Sequence, residues 1–257
     1  MKKLFIILLS VGIVFTSLYS CKKGANDPFF SFRTRKARMV GKWDITKYSE
    51  SIKTVYDNGE ANQRDLTING KKVKETINYI NTVHDTSITT NGEINDFSLT
   101  IDKDGAADLT MNYTLTKDSS GTDDNTGLTI TTTTTRIYKT RAKGTWNFLA
   151  GIDNFKNKER LSLVWETYNT SLNTVILRVI TDDNGSETRT NYSDITATEH
   201  KYANGEMAEV WKIDELKNKE VILLQDVNFL EVAVATDTTG GTTTQRTGTR
   251  SMTLTQP

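Results

Sequence analysis

The stretch Phe97-Ser-Leu-Thr-Ile-Asp-Lys-Asp-Gly-Ala-Ala-Asp-Leu-Thr-Met-Asn-Tyr-Thr-Leu115 decides the fold. Phe97, Leu99 and Ile101 alternate with polar residues, Asp102-Lys103-Asp104-Gly105 turns the chain, and Leu109, Met111, Tyr113 and Leu115 alternate on the return. Period-two alternation on both sides of an Asp-Gly turn spells a β-hairpin with one apolar face. The same grammar recurs along the chain. Asn69-Gly70 marks a shorter hairpin, and Asn184-Gly185 separates Val175, Leu177 and Val179 from an arm running from Glu187 to Ile195. Asn218 divides Val210 to Leu216 from Val221 to Gln225, and Gly240-Gly241 divides Phe229 to Ala235 from Thr242 to Thr255. Apolar spacing of 3.6 residues does not persist anywhere after Leu18, so no helix longer than about three turns is expected.

Composition agrees with an all-β chain. Thr accounts for 42 of 257 residues and Pro for only 2, a balance that favours long strands. Three arms are Thr-rich: Thr131 to Thr135, Thr188 to Thr198 and Thr242 to Thr249. Thr suits strand geometry through its β-branch but buries little apolar surface, so these arms are expected to run beyond the packed core with both faces wet. The 32 basic and 32 acidic residues balance, which excludes the basic excess of a nucleic-acid binder. One Cys and two His are too few for a Cys/His zinc site or a disulfide framework.

Residues 1–20 combine Lys2 and Lys3, an apolar run from Leu4 to Leu18, and Leu18-Tyr19-Ser20 before Cys21. That is the pattern of an export signal, and the run is short of the ~20 residues that span a bilayer. Leu18 and Ser20 before the single Cys resemble the lipobox of a bacterial lipoprotein signal. The resemblance implies cleavage before Cys21 and its lipidation, with a diacylglycerol and an N-acyl chain supplying stable anchoring. Cleavage would leave 237 residues with a net charge of −2. Residues 21–32 then form a lipidated tether, and Lys22-Lys23-Gly24 leaves open whether the domain faces the periplasm or the outside. Phe29, Phe30 and Phe32 precede Arg33, Arg35, Lys36 and Arg38. These read as a short helical lead-in whose Phe residues plug one end of the domain while the basic residues stay solvated, or alternatively as a contact for lipid phosphates near the anchor.

Two Gly-x-Trp tripeptides, Gly41-Lys42-Trp43 and Gly144-Thr145-Trp146, each read as opening a strand. The first, with its Arg-rich lead-in, resembles strand one of lipocalin-like domains, where a Trp at the closed end is often covered by an Arg. The resemblance implies that Arg246 or Arg250 stacks on Trp43. Asp96 to Gly105, Gly144 to Phe148 with Lys158 to Leu163, and Trp211 to Leu224 resemble that family's later strand pairs in the same order. The chain is similar overall to lipocalin-like lipoproteins of the Bacteroidota. What this implies is a single antiparallel up-and-down β-barrel over residues 33–257, with extended Thr-rich hairpins. A tandem pair of domains, one per Gly-x-Trp, is disfavoured because the sequences after Trp43 and Trp146 do not match further.

Chemistry is sparse. Asp102-x-Asp104-Gly105 and Asp182-Asp183-Asn184-Gly185 lack the spacing and distal Glu of a calcium loop and suit turns. His84 sits in a polar strand, both it and His200 read as surface residues, and the sequence holds no Gly-x-Ser-x-Gly elbow. No phosphate-cradling or dinucleotide glycine loop occurs, so no enzyme and no cofactor or metal is expected. Trp146, Phe148, Trp165, Tyr168 and Trp211 either line a ligand cavity in the barrel mouth or form core, and aromatics dominate small cores with or without a ligand. Two functional readings follow. One is a lipid-anchored outer-membrane carrier of a small apolar ligand. The other is a structural or interaction module with a filled barrel, whose ribbons pair with an envelope protein through strand edges.

Overall fold

The computed structural model describes residues 33–80, 86–124, 126–155, 159–233 and 242–257. Cys21, the tether with its three Phe residues, His84 and the Gly240-Gly241 turn lie outside them. A five-residue helix α1 (Arg35–Met39) leads into eleven strands. These are β1 (Gly41–Tyr56), β2 (Ala61–Asn69), β3 (Lys72–Ile80), β4 (Thr86–Ile101), β5 (Ala106–Thr122) and β6 (Thr129–Phe148), followed by β7 (Arg160–Thr181), β8 (Glu187–Lys201), β9 (Met207–Leu216), β10 (Glu220–Ala233) and β11 (Thr242–Thr255).

All strand pairings are antiparallel, as hairpins joined by tight turns require, and they close into a ring through β1 with β11 and β6 with β7. At the lower end, near α1, the circuit runs β1, β4, β5, β6, β7, β9, β10, β11, because residues 41–44 of β1 pair directly with 98–101 of β4. Higher up, β1 and β4 part and the β2–β3 hairpin fills the fork. On the other side, β9 and β8 share one edge of β7 in succession. Residues 160–165 of β7 pair with β9 and 167–181 with β8, and the Tyr202 N–H bonds the Glu166 carbonyl at 2.8 Å between them. A second fork opens here. Residues 212–216 of β9 pair with 221–224 of β10, whereas 225–233 of β10 pair only with β11.

The pleat sends alternate residues inward. Trp43, Ile45, Leu99, Ile101, Leu109, Leu161, Leu163, Trp165, Trp211, Ile213, Leu223 and Leu254 all lie inside and are buried. Helix α1 covers the lower mouth: Thr34 Oγ1 caps it by accepting the Ala37 N–H at 3.1 Å, and the Trp43 indole N–H donates to the Met39 carbonyl at 2.8 Å. Among the described residues no helix is long and apolar enough to cross a membrane.

Four expectations need correction. Arg35 and Arg38 are buried rather than solvated, with Arg38 donating to the Leu216 carbonyl under the lower mouth. Neither proposed Arg covers Trp43. Arg250 stands opposite Glu50 and Arg246 opposite Thr54, and Glu50 is about 20 Å further along β1 than Trp43 at strand rise. Gly144-Thr145-Trp146 lies inside β6 rather than opening a strand. Of the Thr-rich arms, β8 is exposed from end to end, but Thr131 to Thr135 are half-buried because β5 and β7 flank them on both sides.

Gly144 is required for another reason. It sits at a bulge between β6 and β7, and a Cβ there would collide with the Val164 carbonyl oxygen and stand 2.8 Å from the Trp165 Cα. Gly144→Ala is expected to cost about 1–3 kcal/mol and to lower the melting temperature by roughly 3–10 °C. Gly121→Ala, with nothing within 4 Å of the new methyl, should leave the melting curve in place.

Candidate functional site

The ring interior carries two storeys of side chains. In the lower one, Trp43 and Trp165 are fully buried and Trp211 nearly so. Trp146 meets Phe148 edge-on at 5.5 Å, and its indole N–H donates to the Asp102 carbonyl at 2.7 Å, tying the β4–β5 turn to β6. The aromatic set read as a ligand cavity or a core is therefore core: Trp146, Trp165 and Trp211 are buried members of the hydrophobic cluster, and Phe148 and Tyr168 pack against it. None of the five lines either groove described below.

Above them the inward positions turn ionic. Glu50 accepts from three groups, Arg64 Nη1 at 2.6 Å, Arg250 Nε at 2.8 Å and the Tyr48 hydroxyl at 2.8 Å. Arg64 also donates through Nε to Glu75 at 2.8 Å and through Nη2 to the Tyr113 hydroxyl at 3.0 Å. Arg136 approaches the other Glu75 oxygen at 3.9 Å. On the far side Arg250 Nη1 reaches Glu209 and Gln225, each at 3.4 Å, and Glu209 accepts the Trp165 indole N–H at 3.2 Å. Three arginines and three glutamates thus form a neutral belt between β1, β2, β3, β6, β9 and β11. The carboxylates of Glu50 and Glu75 are buried, and two such anions out of water are tolerable only with guanidinium partners.

Tyrosines complete the belt. Tyr113 stacks on Tyr138 with ring centroids 4.8 Å apart. Burial pushes the hydroxyl pKa of Tyr48 well above its ordinary value and raises those of Tyr113 and Tyr138. Burial, with the Glu209 charge adding to it, pushes Tyr168 up to about 12. The belt escaped sequence reading, although its signal was present: Glu50 shares the phase of Tyr48 and Ile52, Arg64 that of Leu66 and Ile68, and Glu209 that of Trp211 and Ile213. A charge in the apolar phase of a strand announces an interior ion pair.

Two grooves lie among the described residues. A groove of about 610 Å³ crosses the outer face of β4 to β8, lined by Asp96, Thr110, Asn112, Lys139, Arg141 and Glu199 among others. A smaller one of about 300 Å³ marks the fork where β9 leaves β10, with Gln225, Asp226, Lys212 and Arg250 in its wall. The lips of that fork carry exposed apolar side chains: Tyr192 and Ile195 on β8, Val210 on β9, Phe229 and Leu230 on β10. Isolated exposed apolar residues need no explanation, but these five stand on strands with unpaired edges among the described residues. No protein-family model, curated protein or solved structure matches this chain.

Glu50→Ala would leave Arg64 and Arg250 on either side of β1 without the carboxylate between them, each retaining one other. A loss of about 3 kcal/mol, the low end for breaking a buried pair, is expected in urea unfolding; Glu187→Ala, in an exposed pair, should change stability by less than about 0.5 kcal/mol. The tyrosines set an alkaline limit. Their folded pKa values lie above the unfolded value near 10, so their contribution to stability is complete below pH ~10 and declines as pH rises toward the folded values. Unfolding free energy should hold up to about pH 9.5 and fall between pH ~10 and 12, and the Tyr168→Phe variant should show a shallower fall.

Proposed function

We propose that this chain is a lipid-anchored outer-membrane lipoprotein with a lipocalin-like barrel, of the kind found in the Bacteroidota. In this reading it acts without catalysis, as a protein-interaction module. The observation that carries the reading is the contrast between inside and rim. Aromatic and ionic storeys occupy the space in which a carrier would hold its ligand, whereas every residue of β8 is exposed along a ladder that pairs on one side only among the described residues. An apolar ligand would have to displace either packed indoles or a buried ion-pair belt, and both displacements are costly.

The eight-strand circuit of the lower end, taken in nearly sequential order, supports the lipocalin-like barrel. Polarity of the domain supports the anchor. Chain entry is at α1, at the lower mouth, so a lipid on Cys21 would hold that end toward the membrane. The ribbon of β5 to β8 would then point away, and β7 alone extends roughly 70 Å at strand rise over its 22 residues.

Labelling with a fatty-acid analogue tests the anchor: Cys21→Ala is expected to abolish incorporation and release the protein from the membrane fraction, and undiminished labelling would overturn it. Native mass spectrometry of protein purified from its own membrane tests the filled barrel. The expected result is the lipidated chain without a bound small molecule; a stoichiometric apolar ligand would restore the carrier reading.

A further inference from the structure

The phase of the β7–β8 ladder determines which backbone groups are free. Asp182 N–H bonds the Ser186 carbonyl at one end, and Tyr202 N–H bonds the Glu166 carbonyl at the other. With the register running from Thr181 opposite Glu187 to Thr167 opposite Lys201, even-numbered β8 residues direct their N–H and C=O groups at β7. The odd-numbered residues from Glu187 to Lys201 direct theirs outward. Among the described residues no strand receives them. This is a long row of donors and acceptors with no proline to blunt it, the kind of edge that templates another strand.

We infer that this edge pairs with β8 of a second copy, antiparallel, about a two-fold axis through Asp194. A two-fold operator perpendicular to the sheet is the simplest closed association of one edge with itself, and it sets odd residues opposite odd residues, joining the free groups of both copies. Charge selects the register. Centring on Ser193 would set Glu187 opposite Glu199, and centring on Ile195 would set Arg189 opposite Lys201, like charges in both cases. Centring on Asp194 sets Glu187 opposite Lys201 and Arg189 opposite Glu199, each twice by symmetry. All four side chains lie on the outer face of the ladder.

Within one protomer Arg189 already bonds Glu187 at 2.7 Å, and Lys201 stands 3.7 Å from Glu199. Pairing would bring these two couples head to tail into a four-charge cluster at each end of the new ladder. Opposite-charge cross-strand pairs favour a register and like pairs oppose it. Tyr192 would lie opposite Thr196 and Ile195 opposite Ser193, shielding two side chains that are about 60% exposed in the protomer. One contact is unfavourable: Asp194 meets its own copy at a narrow, non-hydrogen-bonded position. The inference rests on reading β8 as the interaction edge, and it specifies the partner.

Sedimentation of the full chain in detergent micelles tests it, with a reversible dimer expected. Arg189→Glu and Glu199→Arg should each weaken the dimer by about tenfold or more, and the double variant should restore it because the two positions face each other across the axis. Asp194→Asn should tighten it several-fold. Register is read by disulfides in a full-length Cys21→Ala background. Asp194→Cys should link to itself, whereas Thr190→Cys and Thr198→Cys should link only when mixed. A chain that stays monomeric, with no linkage at position 194, overturns the inference. If Asp194→Cys instead links to a protein of different mass, the second-copy partner is wrong and the edge reading of the previous section survives. Monomer with no linkage of any kind overturns both.

Discussion

The Glu50 carboxylate, held between the Arg64 and Arg250 guanidiniums, is the contact on which the upper half of this molecule depends. It ties β1 to both of its ladder neighbours, β2 next in the chain and β11 at its far end, and it does so inside a ring where an unpaired charge would be expelled or neutralised. Glu75, Arg136 and Glu209 extend the same compensation to β3, β6 and β9. The belt limits what the interior can do. Its charges balance, with the buried Glu75 Oε2 left to a 3.9 Å approach from Arg136 and no hydrogen bond, and packed indoles lie beneath it.

Two forks then decide the outline. At both, a pair of antiparallel strands is joined over about four residues at the lower end and separates above. Between β1 and β4 the gap is filled by the chain's own β2–β3 hairpin, and two strands rather than one are needed to keep every neighbour antiparallel. Between β9 and β10 the described residues supply no such filling. Unpaired edges and exposed apolar side chains gather at this second fork for one geometric reason: β8 extends the line of β9 upward along β7, while β10 follows β11 away from it. The ring that is closed below is thereby a split, flared sheet above.

Much of the fold was legible because its signals are local. The alternation around Asp102 to Gly105, Asn69-Gly70 and Asn184-Gly185 involves residues within one hairpin, and Gly70 and Gly185 adopt the positive φ those turns require. The long exposed arm of β8 was legible as a Thr-rich, poorly apolar strand. The Arg cover for Trp43 misled because a family pattern says which residue types meet but not their register. An offset of about 20 Å along β1 places Arg250 on Glu50 and leaves the Trp43 indole to the Met39 carbonyl. The belt was missed for a different reason. Its members stand in the apolar phase of their strands, so each looked like an ordinary surface charge until its phase was compared with that of its neighbours.

By itself, then, the sequence determined an all-β chain, the hairpin turns, the inward phase of β4 and β5 around their turn and the exposure of β8, since alternation and turn chemistry act over a few residues. The tertiary structure alone decided that β1 closes on β11, that Glu50 meets an arginine 200 residues away, and that one fork is filled while the other is open. Those outcomes depend on the register between strands distant in the chain, and register is set by the simultaneous fit of all neighbours around the ring, which no local stretch encodes.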